Sequence, residues 1–352
     1  MLFDTGSATS RAVRGFPWMS RRFPQAIAQR PDLNCATACF GKWHLPRGNN
    51  GGADNPNLMG FDHYSGGLRG VPDYYNWEKI TNGFSTNATN YATSEIVDDA
   101  IEWIDARGDQ PWFVWLAFSA PHTPFHLPPA DLRSYTTLIG VAAHIADNPQ
   151  LYYQAAIEAM DTEIGRLLAS LPPEVRASTT IIYMGDNGTL GRVGPRQTKG
   201  FLYQGGINGP FVVSGAAVVD GSRQIDSIMD VTDVYATVLK LAGVDLAATT
   251  STGVTIDSVS FVPYLANPTQ TALREWAVSE RFGPNTPMNR VGKTIRDDRY
   301  KLLLFDNQAD EFYDFGADSR ESNDLLDNPL SAAAQARFGA LNATLSTLVS
   351  GG

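Results

Sequence analysis

Short apolar runs alternate with helical stripes along most of this chain. Asn34–Phe40 reads as a buried strand, and Trp112–Phe118 is apolar at every position, as expected of a strand covered on both faces. Thr179–Met184 and Phe211–Val213 are two further strands. Residues 24–31 read as a helix leading into the first strand. Ile96, Val97, Ala100, Ile101 and Ile104 mark one face of a helix over Thr93–Arg107. Ile157, Met160, Ile164, Leu167, Leu168 and Leu171 recur with a 3.6-residue period over Tyr153–Leu171. Val231–Leu241 is an amphipathic helix, and Gly243 stands where a left-handed cap would end it. This alternation predicts an α/β fold with a mainly parallel sheet and helices on both faces.

The character changes after about residue 255. Trp276–Phe282, Lys293–Phe305 and Glu311–Phe315 read as strands joined by turns, followed by an alanine-rich helix over Leu330–Val349. We therefore expect an α/β core over residues 1–254 and a smaller α+β subdomain with an antiparallel sheet over residues 255–352. The Gly- and Asn-rich stretch Gly48–Asn57 is expected to form a surface loop near the cleft.

Bulk composition narrows the class of partner. The chain has 352 residues, 43% apolar and 18% charged, enough for one large domain or one large and one small. A net charge of −10 argues against nucleic acid or an acidic membrane surface as the main partner. No apolar run is long enough to span a bilayer. Met1–Gly6 lacks the basic stretch and apolar core of a secretory signal. Cys35 and Cys39 share a strand face but stand too far apart to bridge, so both are expected to be buried thiols.

Candidate chemistry sits where strands open into polar loops. Asp186 and Asn187 follow the Thr179–Met184 strand, at the sheet edge where open α/β folds bind ligands. Both offer oxygen, which suits a hard divalent cation; a plain Asp-Asn-Gly turn is the alternative. His122 follows the Trp112–Phe118 strand, in position to protonate a leaving group. Lys42 and His44 are two residues apart and point the same way on an extended segment, with Trp43 facing the core. Together they could hold a tetrahedral anion, to which Lys199 would add a second ammonium.

Gly41-Lys42-Trp43-His44-Leu45, Ala120-Pro121-His122-Thr123-Pro124, Asp186-Asn187-Gly188, and Lys199-Gly200 with Gly205-Gly206-Ile207 and Pro210 resemble successive motifs of the sulfatase family. Met160-Asp161 with Ile164-Gly165, Ile295–Leu302, Glu311-Phe312-Tyr313-Asp314, Asp318 and Glu321 extend the resemblance from about residue 20 to residue 328. It implies an arylsulfatase-like member of the alkaline phosphatase superfamily, with an alkaline-phosphatase-like fold. Lys42 and Lys199 would bind sulfate oxygens, His44 would hydrogen-bond the nucleophile, and His122 would protonate the leaving alcohol or phenol. Asp186 and Asn187 would be two ligands of a divalent cation, usually calcium. The substrate would be a small-molecule or carbohydrate sulfate ester.

The chain also departs from the family pattern. Members carry an earlier strand with two adjacent aspartates, and then a Cys-x-Pro-x-Arg-type segment whose cysteine becomes the formylglycine nucleophile. Ser7-Ala8-Thr9-Ser10-Arg11 resembles that segment with Ser7 as nucleophile, but Ser7 and Lys42 are only 35 positions apart. Aligning Thr5-Gly6 and Arg11 just downstream of the nucleophile instead implies that the chain starts after the catalytic segment. Pro46 also replaces the glycine usual after Leu45. On this reading calcium binding and sulfatase turnover by the chain are expected to be weak or absent. A phosphate or phosphonate ester hydrolase of the same superfamily, or a non-catalytic anion-binding protein, are the competing expectations.

Overall fold

In this computed structural model residues 23–46, 49–194, 197–249, 256–282 and 291–350 are described, and among them eleven strands form three sheets. Ser7 and its neighbours Thr5, Gly6 and Arg11 lie outside the described residues. The first sheet has the order β4-β3-β2-β1-β5, built from β1 (Ala36–Gly41), β2 (His63–Gly66), β3 (Trp77–Thr81), β4 (Phe84–Ala88) and β5 (Trp112–Ala117). Its β2-β1-β5 trio is parallel, while β3 and β4 join antiparallel. Asn82 and Gly83 close the β3–β4 hairpin with φ of 47° and 87°, the left-handed pair a two-residue turn requires.

Strand alternation builds the two faces. Ala38, Phe40, Val114 and Leu116 pack under helix Ala92–Asp105, with Ala159, Met160 and Ile164 of helix Pro149–Ser170 completing that layer. Phe113 on the opposite face meets Ala26 and Ile27 of helix Phe23–Ala28 and Leu239 of helix Asp233–Leu241. Helices thus cover both faces, as the apolar pattern predicts. Gly243, at φ 73°, supplies the expected left-handed residue after Leu241.

Two differences from the sequence expectation concern the sheet. β6 (Thr180–Met184) and β7 (Phe211–Gly215) pair antiparallel in a sheet of their own, rather than extending the parallel one. Trp112–Ala117 is half-buried at every residue, not sealed on both sides, because β5 stands at the edge of its sheet. Val238 of helix Asp233–Leu241 packs against the core cluster that Phe113 of β5 joins and against the cluster that Ile182 and Met184 of β6 join, so this helix borders both sheets.

The C-terminal sheet is antiparallel, in the order β11-β10-β9-β8: β8 (Ala277–Arg281), β9 (Gly292–Arg296), β10 (Tyr300–Phe305) and β11 (Glu311–Asp314). Tyr300, Leu302 and Phe312 face helix Ala332–Ser350 through Ala334, Leu341 and Leu345. Leu303 and Tyr313 face the other way, onto Leu202 and Tyr203. A period-2 pattern thus clamps the sheet between its own helix and the segment that carries Lys199. Asn49–Leu58 is not featureless loop: Gly52–Asp54 and Asn55–Leu58 form short helical turns.

Candidate active site

The backbone turns sharply where β1 ends. Gly41 has φ 95°, and a Cβ there would stand 2.1 Å from the Ala117 carbonyl oxygen of β5. Lys42 N–H then donates to that same carbonyl at 2.7 Å, and Tyr64 Oη donates to the Gly41 carbonyl at 3.0 Å. Trp43 anchors the next residue inward: its Nε1 donates to Asn55 Oδ1 at 2.7 Å and its ring meets Phe61 edge-on. Lys42 is left half-buried on the other side, its Cε 3.7 Å from where a Cβ on Gly70 would stand. His44, two residues on, is also half-buried.

His122 leaves the same edge, because β5 runs parallel to β1 with Ala117 opposite Gly41. Its N–H donates to Ser119 O at 2.9 Å and its imidazole is exposed. Nδ1 lies 3.0 Å from Thr123 O, a carbonyl that can only accept, so Nδ1 carries the hydrogen and Nε2 is the atom offered to a ligand. The Tyr74 hydroxyl donates to His122 O at 2.9 Å. The Tyr74 ring also stacks on His126 at 3.8 Å between centroids. His126 is fixed at both nitrogens, Nδ1 to Pro124 O at 3.0 Å and Nε2 to Tyr91 Oη at 3.0 Å, and burial lowers its pKa. Tyr74, Tyr91 and His126 therefore frame the loop that carries His122. None of the three falls in the motifs quoted above, although a second histidine four residues after His122 was a usable signal.

Asp186, exposed, and Asn187, half-buried, follow β6. Asn187 Nδ2 donates to Gly188 O at 2.9 Å, which leaves its Oδ1 available as a ligand. The loop is laced to the Lys199 segment: Gly188 N–H donates to Gly206 O at 2.9 Å, and Lys199 N–H to Thr189 O at 2.8 Å. A Cβ on Gly188 would stand 1.9 Å from Gly205 O, so only glycine permits this approach. Lys199 is half-buried; burial lowers its pKa most, while Asp186 raises it and Lys42 lowers it. Three residues from three distant motifs, Lys42, Asp186 and Lys199, thus share one electrostatic neighbourhood.

Asp186 and Asn187 supply two oxygen donors, part of the roughly six to eight that calcium takes. Among the described residues no group of three or more His, Cys, Asp or Glu side chains gathers as a metal site. The pair fits a hard cation by donor type and would form one side of its shell.

Lys42 and His122 follow the carboxyl ends of β1 and β5, and Lys199 is laced to the Asp186–Asn187 loop that follows β6. The chain belongs to the sulfatase family. The family model "Sulfatase" matches residues 32–244, and "N-sulphoglucosamine sulphohydrolase, C-terminal" matches residues 197–347. The family in general depends on a divalent cation. The chain is 27% identical over 265 residues to the uncharacterized sulfatase YdeN of Escherichia coli (strain K12), covering 66% of this chain and 45% of that protein. It is 24% identical over 247 residues to arylsulfatase J of Mus musculus, covering 64% of this chain and 39% of that protein. The chain therefore spans less than half the length of these two relatives. Its fold matches the structure of BT4656 in complex with its substrate D-glucosamine-2-N,6-O-disulfate, with a TM-score of 0.73, 22% identity, and coverage of 98% of this chain and 83% of that one. It also matches Ps i-CgsB in complex with k-i-k-neocarrahexaose, with a TM-score of 0.72, 21% identity, and coverage of 90% and 72%. The alkaline-phosphatase-like fold expected from the motifs is thus the fold of the chain.

Proposed function

We propose that the chain serves the hydrolysis of a sulfate ester, with a carbohydrate as the alcohol. The observation that carries this reading is the shared neighbourhood of Lys199, Lys42 and Asp186. Two ammonium groups beside one carboxylate suit a dianionic or monoanionic ester group more than a neutral one. Lys42 and Lys199 hold the sulfate oxygens. His44 hydrogen-bonds the nucleophile. His122, its Nδ1 engaged with Thr123 O, presents Nε2 to the leaving oxygen and donates a proton there once protonated. Asp186 and Asn187 would hold a divalent cation, calcium in the family resemblance, which would supply charge stabilisation at the ester oxygens. The nucleophile is unassigned, and Ser7, the candidate that the sequence offers, lies outside the described residues. The carbohydrate class is supported by the sugar sulfates bound by the two fold relatives named above.

Side-by-side assays on an aryl sulfate and an aryl phosphate, with isothermal titration of inorganic sulfate, test the reading. We expect sulfate to be preferred, and Lys199→Ala to weaken sulfate binding by about tenfold, the loss of one charged hydrogen bond. A preference for phosphate would assign the superfamily's other ester class. Sulfate affinity untouched by Lys199→Ala would end the anion-site assignment. Turnover lost in Ser7→Ala would make Ser7 the nucleophile.

A further inference from the structure

The loop after β5 is exposed or half-buried at His122, Thr123, Pro124 and Leu127, yet each of these four residues has a carbonyl that receives a side-chain donor. Tyr74 Oη donates to His122 O at 2.9 Å, and His122 Nδ1 to Thr123 O at 3.0 Å. His126 Nδ1 donates to Pro124 O at 3.0 Å, and Tyr75 Oη to Leu127 O at 2.7 Å. Water could serve such carbonyls, so the donors are not needed to rescue buried unpaired groups. What they add is order, in a segment that would otherwise keep much of its backbone freedom.

The donors themselves are held from below. Tyr74, between β2 and β3, and Tyr91, just before helix Ala92–Asp105, are 1% and 5% exposed. Ala92 N–H donates to Tyr74 O at 2.8 Å, which ties the two tyrosine backbones together. His126 closes the circuit. Its ring stacks on Tyr74, with 3.8 Å between centroids and 23° between planes, and its Nε2 lies 3.0 Å from Tyr91 Oη. Because His126 Nδ1 faces a carbonyl, Nδ1 carries the hydrogen and Nε2 accepts from Tyr91. That arrangement needs a neutral ring. Burial lowers the His126 pKa and so favours the neutral form, against the opposing pulls of the Pro124 carbonyl and Asp73. His122 has the same tautomer for the same reason, with Thr123 Oγ1 3.3 Å from its Nδ1 as a second acceptor.

We propose that Tyr74 and His126 are positioning residues for His122. Tyr74 fixes the His122 carbonyl, and His126 fixes both the Tyr74 ring and Pro124. Together they hold the His122 ring where Nδ1–H reaches Thr123 O and Nε2 is left for the leaving oxygen. Both act through His122. The inference rests on the reading of His122 as the proton donor and deepens it by naming what aims that donor. Aim matters there, since a misplacement of about 1 Å can cost roughly 10²-fold in rate.

Imidazole nitrogen-15 NMR of the purified chain at pH 8 reads the tautomer of each of its five histidines. We expect His122 and His126 in the Nδ1–H form. Tyr74→Phe keeps a ring on His126 and removes the donor to His122 O. It should lower the Nδ1–H to Nε2–H ratio of His122 roughly fivefold, the equivalent of one neutral hydrogen bond. His126→Phe keeps a ring on Tyr74 but loses both hydrogen bonds, and should move His122 the same way. His63 and His144 lie outside this cluster and should stay unchanged in both variants. A His122 ratio unchanged in either variant, or His122 already in the Nε2–H form in the unmodified chain, would overturn the proposal. So would a shift of His63 and His144 as large as that of His122, which would show a general loosening of the fold. Inorganic sulfate titrated into the unmodified chain reports the anion site separately, so failure of that reading is distinguishable from failure of the positioning.

Discussion

Lys301 Nζ lies 2.5 Å from Glu321 Oε1, and both side chains are sealed from solvent, at 0% and 2% exposure. The other oxygen of Glu321 accepts the N–H of Gln204 at 2.6 Å. This buried pair therefore joins the C-terminal sheet to the helical turn Gln204–Ile207, whose Gly206 carbonyl receives Gly188 N–H. A charge pair in one subdomain thereby supports the loop that carries Asp186 and Asn187 in the other.

Removing one partner should be worse than removing both charges. Lys301→Met leaves Glu321 buried without its cation and should cost about 3–5 kcal/mol of unfolding free energy. The double variant Lys301→Met/Glu321→Gln keeps an acceptor for Gln204 and should recover most of that loss. Urea denaturation of the three proteins measures it. A double variant no more stable than Lys301→Met would show that the pair does not act as a unit.

The same lysine gives a pH dependence of defined sign. Burial pulls the Lys301 pKa down to about 8, from an ordinary value of 10.5, against the opposing pull of Glu321. Below pH 8 the group is protonated in both folded and unfolded chains. Between 8 and 10.5 the unfolded chain binds more protons, so this group makes stability rise with pH. The full shift is on the order of 3 kcal/mol. Tyr64, Tyr74, Tyr91, Tyr203 and Tyr313 act oppositely above about pH 10, because burial raises their pKa values. Subtracting the pH profile of the double variant isolates Lys301. A difference curve flat from pH 8 to 10 would contradict the assignment.

Much of the frame could be read from residue pattern alone. Trp112–Phe118, Thr179–Met184 and the stripe from Ile157 to Leu168 are strands and helix as expected, because their apolar periods match the elements they form. Asn82-Gly83 carried an equally strong hairpin signal, and the β3–β4 ribbon it closes was missed. Its strand β4 is exposed at four of five positions, with three polar residues between Phe84 and Ala88, so no apolar alternation marked it. The pairing of β6 with β7 was beyond reach for a different reason. Both are short apolar runs, and neither run encodes which edge its partner occupies. At the site, motif order brought Lys42, Asp186 and Lys199 forward together. The Tyr74–His126 stack behind His122 depends on two loops meeting, which spacing within either loop does not reveal.

Glycine at position 41 should be irreplaceable where a comparable glycine is not. Gly41→Ala combines φ 95° with a Cβ 2.1 Å from Ala117 O. Gly108 has φ 55° with nothing within 4 Å of its added Cβ. Gly108→Ala should cost about 1–2 kcal/mol, the left-handed penalty alone. Gly41→Ala should cost at least about 3 kcal/mol, because strain and overlap add. Equal losses in chemical denaturation would mean that β1 and β5 can part at little cost.

Asp186 should change the sign of its effect on anion binding when a divalent cation is present. With the metal chelated, its carboxylate lies in the same neighbourhood as Lys199 and repels a sulfate held there. At an effective dielectric near 20, a unit-charge interaction over several ångströms is about 1–3 kcal/mol, or roughly 5- to 150-fold in affinity. Asp186→Asn should therefore tighten sulfate binding in EDTA. With calcium added, the same carboxylate becomes a ligand of a dication that attracts the anion. Asp186→Asn should then weaken sulfate binding, by losing more attraction than repulsion. Isothermal titration of sulfate into both proteins, with EDTA and with calcium chloride, reads the two signs. Weaker binding under both conditions would mean that Asp186 acts through loop structure rather than charge. Tighter binding under both would show that it holds no cation.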